Sequence, residues 1–219
     1  MDERTQVHGG DVSSSIRLGN LVLTGVSASG KSSVGRQLAK LLGLGFVDLD
    51  ELIERSTGKS IGEIFAQDGE PAFRELEMRM LQSLDKIRSH VIAVGGGALQ
   101  SSEAVVIARK MGPLIWLQSS PAEIARRLFK RASEMEKRPL FKDLLTEENH
   151  ESRKDMIKAR VQKLLDERQQ WFERSDIVLD ASYVTPEMAA QHLKDILIME
   201  GIIRSDHRLF SGCRDVGRN

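Results

Sequence analysis

The sequence predicts an α/β domain in which five parallel strands are covered by helices on both faces. Three observations lead there. Short apolar, β-branched runs alternate along the chain with stretches of helical apolar spacing. The first run leads straight into a glycine-containing loop and then a helix, Gly25-Val26-Ser27-Ala28-Ser29-Gly30-Lys31-Ser32. The residue clusters that suggest chemistry follow strand ends, the edge where open α/β sheets build their sites.

Taken in order, residues 1–18 form a polar, turn-rich lead, read as flexible. Leu21-Val22-Leu23-Thr24 is a short buried strand. The loop after it has the Walker A spacing, G-x-x-x-x-G-K-[ST]. Such a loop turns backbone N–H groups toward phosphate oxygens, and the positive end of the next helix adds to the attraction. Ala28, Ser29, Gly30, Lys31, Ser32 and Ser33 are therefore the expected ATP contacts, with Lys31 at the β- and γ-phosphates and the Ser32 hydroxyl on Mg²⁺. Ala28 stands where many such loops have glycine, so its backbone either avoids positive φ or tolerates strain. Val34, Leu38, Leu41 and Leu42 form the apolar stripe of the helix that follows.

Phe46-Val47-Asp48-Leu49-Asp50 reads as a strand ending in two carboxylates at i and i+2, on one face. One can help hold Mg²⁺ through water, and the other can accept a hydrogen bond from a substrate hydroxyl. A helix N-cap at Asp50 is an equally open reading. Ser60 and Glu63 form a capping box. A longer helix begins near Gly69, with Leu76, Met80, Leu81 and Leu84 on its apolar side. Arg74 lies in its first turns, where a cation opposes the dipole. It either has another partner or makes a surface contact with Glu77.

His90-Val91-Ile92-Ala93-Val94 is the next strand, and it ends in Gly95-Gly96-Gly97. Those glycines are a flexible turn or leave room for a ligand against bare backbone. A helix over 103–110 and a strand at Leu114–Leu117 follow. Ser120-Pro121-Ala122-Glu123 opens a helix that carries Arg126 and Arg127. From 131 to 155 the chain is strongly charged and weakly apolar, which marks a solvated stretch or a mobile lid, about 133–155, holding Arg138. A helix from Met156 to Arg174 contains Arg168 near its end. Ile177-Val178-Leu179 is the last strand, Thr185-Pro186-Glu187 opens the last helix, and residues 201–219 form a tail. The domain proper is 19–200.

Composition narrows the function classes. Lys+Arg and Asp+Glu both total 32, so there is no basic excess for nucleic-acid or anionic-membrane binding. Cys213 is the single cysteine, which suits a reducing cytoplasm. No apolar run reaches membrane-spanning length, and a monomer that binds small molecules is expected.

The set Gly25–Ser32, Phe46–Asp50, Asp68-Gly69-Glu70 with Phe73-Arg74-Glu75-Leu76-Glu77, Gly95–Gly97, Arg138-Pro139-Leu140 and Arg168 resembles the shikimate kinase family, from about Asn20 to Leu197. The resemblance implies a three-layer P-loop kinase fold with a mobile lid, and ATP-dependent phosphorylation of the shikimate 3-hydroxyl. It implies that Ser32 and Asp48 organise Mg²⁺, and that Asp50, Arg74, Gly96 and Arg168 hold shikimate. It also implies that Asp50 takes the hydroxyl proton, that Lys31 and Arg138 neutralise the moving phosphoryl, and that Arg127 lies against adenine. A gluconate-type small-polyol kinase on the same scaffold would lack the arginine pair. A silent sensor module would have lost Lys31, Asp50 or Arg138.

Overall fold

The computed structural model describes residues 5–7, 19–130, 135 and 139–203. β1 (Thr5–Val7) is followed by β2 (Leu21–Thr24), α1 (Lys31–Leu42), β3 (Gly45–Asp48), α2 (Leu49–Thr57), α3 (Ile61–Gln67) and α4 (Gly69–Ser83). Then come β4 (His90–Ala93), α5 (Ser102–Met111), β5 (Leu114–Gln118), α6 (Pro121–Lys130), α7 (Pro139–Lys142), α8 (His150–Phe172), β6 (Ile177–Asp180) and α9 (Pro186–Met199). The sheet order is β3-β4-β2-β5-β6-β1. The five expected strands are parallel, and β1 adds an antiparallel edge, pairing Thr5 with Leu179 and Val7 with Ile177. The lead expected to be flexible therefore contributes a strand at residues 5–7.

Period-two alternation sorts the strand side chains between the two faces. Leu21, Leu23, Ile115, Leu117, Ile177 and Leu179 pack against α1 and α9. Val22, Ile92 and Leu114 face α4 and α5 on the other side. Trp116 and Val178 face α6 and α8 there. β2 is central, and the chain crosses to β3 on one side and later to β5 on the other. The crevice at its C-terminal end is thus the switch point of the sheet.

Three element readings shift. The fully buried residues of α4 are Phe73, Glu77 and Leu81, with the expected Leu76 and Met80 packed beside them and partly buried. α8 starts at His150, six residues earlier than its apolar pattern suggests, because the Asn149 side chain caps it by accepting from the N–H groups of Glu151 and Ser152. The stretch read as weakly apolar has buried anchors in Phe141 and Leu144, packed with Ile157 and Val161. Residues 131–134 and 136–138, Arg138 among them, lie outside the described residues, as does Cys213. Among the described residues no helix is long and apolar enough to cross a membrane.

Candidate active site

The phosphate loop sits between β2 and α1. Gly25 (φ 144°) and Gly30 (φ 106°) use backbone conformations that L residues disfavour. A Cβ on Gly25 would also lie 2.5 Å from the Leu117 carbonyl oxygen. Ala28 does tolerate strain: its φ is 64°, the left-handed region, at a cost of about 1 kcal/mol relative to glycine. The Lys31 ammonium donates to the carbonyls of Gly25 (2.8 Å) and Val26 (2.9 Å), which keeps it over the loop.

Asp48 ends β3 and is buried. Its Oδ2 accepts from the Ser32 hydroxyl at 2.6 Å, and its Oδ1 accepts from the Asp50 N–H at 3.1 Å. The cap of α2 is therefore Asp48, not Asp50. This releases the Asp50 carboxylate from capping and leaves it lining the cavity.

The three glycines after β4 are needed because side chains occupy the space beside them. A Cβ at Gly95 would lie 2.3 Å from Glu77 Oε1 and 3.0 Å from Asp50 Oδ1. At Gly97 it would lie 2.3 Å from an Arg74 guanidinium nitrogen, and at Gly96 it would press on the Gly25 carbonyl and the Ser27 N–H. At Gly95 and Gly97 the chain thus approaches the Glu77, Asp50 and Arg74 side chains closely.

Arg74 donates to Glu77 (2.7 Å) and Glu70 (2.8 Å). Burial works against its charge, but Glu77 and Glu70 outweigh that and hold its pKa above the ordinary arginine value. Arg168 was open to a surface reading, yet it is 6% exposed and donates to the Gly96 carbonyl at 2.9 Å. Burial, and then repulsion from Arg74, lowers its pKa, and Glu77 partly offsets both. It stays a cation at any working pH. Glu77 is 3% exposed. Burial pushes its carboxyl pKa up, Arg74 pulls it back, and the Asp50 charge adds to the rise. The sequence reading used Glu77 only as a partner for Arg74. The missed signal was a carboxylate on the stripe it shares with Phe73 and Leu81.

On the other flank Arg127 donates through all three guanidinium nitrogens: to Glu123 (2.7 Å), to the Ser29 carbonyl (2.9 Å) and to the Ala181 carbonyl (2.8 Å). These bonds lie in the guanidinium plane, so a flat face remains for stacking. One cavity of about 790 Å³ joins both regions, lined among others by Lys31, Asp48, Asp50, Arg74, Arg127 and Arg168. Thr185 and Pro186, read only as a helix start, also line it. Among the described residues, every site residue expected from the sequence reaches this cavity.

A phosphate cradle facing a small cationic pocket on a five-stranded parallel α/β sheet defines a P-loop kinase for small molecules. A family model described as shikimate kinase matches residues 27–197. The shikimate kinase of Thermodesulfovibrio yellowstonii is 36% identical over 193 residues, 88% of this chain and 98% of that one. The shikimate kinase of Chloroherpeton thalassium is 43% identical over 159 residues, 72% of this chain and 81% of the relative. The solved shikimate kinase from Acinetobacter baumannii in complex with shikimate superposes with a TM-score of 0.71 at 29% identity, covering 84% of this chain and 94% of that one. The chain belongs to the shikimate kinase family.

Proposed function

We propose that this protein transfers the γ-phosphoryl group of ATP to the 3-hydroxyl of shikimate, giving shikimate 3-phosphate and ADP. The observation that carries the reading is that Arg74 and Arg168 flank the bare Gly95–Gly97 backbone in the same cavity as Asp50 and the phosphate loop. Two guanidinium groups suit a ring carboxylate, since each offers a planar fork of donors. Asp50 accepts from the 3-hydroxyl and orients its oxygen toward the phosphorus. It takes the proton as the new O–P bond forms and the bond to ADP breaks. In a loose transfer this positioning counts for more than basicity.

The loop from Ala28 to Ser33 holds the phosphates, Lys31 neutralises charge on the moving group, and Arg127 stacks on the base. Arg138 is assigned to the same phosphoryl on the strength of the family resemblance. Ser32 Oγ and Asp48 Oδ2, 2.6 Å apart, are hard oxygen donors at the edge of the phosphate loop and fit Mg²⁺. When bound, the ion would offset the negative charge of the phosphates.

The test is ADP release with shikimate beside gluconate, quinate and AMP. Turnover confined to shikimate is expected, and equal turnover of gluconate would overturn the substrate assignment.

A further inference from the structure

On α6 a buried carboxylate organises the nucleotide flank. Glu123 is 1% exposed. Its Oε1 accepts from Arg127 Nε and Arg126 Nη2, both at 2.7 Å, and its Oε2 accepts from Arg126 Nε at 2.6 Å. Arg126 is half-exposed, so it compensates the buried charge from the rim. Arg127 is the more enclosed of the two, and it spends its remaining nitrogens on two loops. One bond goes to Ser29 in the phosphate loop, the other to Ala181 just after β6.

Ser29 is the neighbour of Ala28, whose backbone is left-handed without the glycine that would make that conformation easy. Such a conformation persists only where its surroundings over-determine it. Here the Ser29 N–H donates to the Val26 carbonyl at 3.2 Å while its own carbonyl is held by Arg127.

We propose that Glu123 is a positioning residue for the nucleotide: by holding Arg127 it staples the phosphate loop to the loop after β6 and sustains the strained turn at Ala28. This rests on the placement of ATP on that loop, and Glu123 acts through Arg127.

The test uses the full chain with Glu123→Ala, Glu123→Gln, Arg127→Lys, Ala28→Gly and the double variant Glu123→Ala/Ala28→Gly. ADP affinity is read by calorimetry, beside KM for each substrate and the thermal midpoint. Glu123→Ala is expected to weaken ADP and raise KM for ATP about tenfold, with KM for shikimate changed less than about twofold. Glu123→Gln should recover most of the loss, because its amide oxygen still accepts from Arg127 Nε. Arg127→Lys keeps the charge but cannot serve three acceptors, and should match Glu123→Ala. Should Glu123→Ala fail to fold, Glu123→Asp, one methylene short of Arg127 Nε, is read in its place, and unchanged ADP affinity there would overturn the proposal. Ala28→Gly should restore more ADP affinity in the Glu123→Ala background than it adds to the parent.

A lowered thermal midpoint with unchanged ADP affinity would reduce Glu123 to a structural ion pair and overturn the proposal. An equal Ala28→Gly effect in both backgrounds would overturn the link to strain. ADP binding needs no acceptor, so a parent enzyme that binds ADP but ignores shikimate would defeat the substrate assignment and leave the staple standing.

Discussion

The half of the cavity proposed for the nucleotide is framed largely by backbone, and the half proposed for the acceptor by ionised side chains. Around the phosphates the working groups are amides of one continuous loop, and the arginine beside them donates to two backbone carbonyls. Around the acceptor, Asp50, Arg74, Glu77 and Arg168 come from three helices and meet over three glycines. Backbone donors of the first kind address phosphate groups and do not read the base. The second arrangement gathers charges of both signs, with Glu77 and Arg168 buried and Arg74 and Asp50 still open to solvent. Glu77 makes that possible by sharing the cost of two guanidinium groups in one buried place.

The largest effects should come where the two halves meet. Asp50→Ala is expected to lower kcat by a factor on the order of 10² to 10⁴ while ADP affinity by calorimetry stays within about twofold. Parallel losses of both would mean the halves are not separable. Next, Arg74→Ala and Arg168→Ala should each raise KM for shikimate by about 10- to 100-fold, the worth of a charge-assisted hydrogen bond, with little change in KM for ATP. If Arg74→Ala leaves shikimate affinity intact, the acceptor half has been misassigned.

Glu77→Gln sharpens the contrast through pH. Burial raises the native pKa of Glu77, so the native state holds this proton more tightly than the unfolded chain does. That linkage makes the Glu77 contribution to stability fall as pH rises from the ordinary glutamate range through the native value. Glutamine cannot titrate, so the stability of the variant relative to the parent should grow over the interval that starts at the ordinary glutamate range, about pH 4, and runs upward, as read by urea titrations. A difference that shrinks over that interval would refute the assigned direction. The smallest effect belongs to the backbone-framed half. Ala28→Gly removes strain of about 1 kcal/mol but loosens the unfolded chain, for a net rise in Tm of roughly 1–2 °C by calorimetry.

The contiguous half was the easier to read. Gly25–Ser32 names its own loop, and the strand and helix around it follow from local periodicity. For Asp50, Arg74 and Arg168 the residues alone left structural and functional readings open, and only the family resemblance joined them. Glu77 and Glu123 went unassigned because a glutamate on a helix looks the same whether it faces solvent or core. Their burial depends on which face the sheet covers.

The sequence by itself determined the alternation of strands and helices, the phosphate loop and the set of charged residues available for chemistry, since spacing and residue type are local properties. Tertiary structure alone decided that Asp48 and not Asp50 caps α2, that Arg168 is buried against Gly96, and that Arg127 links two loops. The last two are contests between a local contact and a distant partner. Such a contest is settled only when packing brings the distant partner within reach and takes water away.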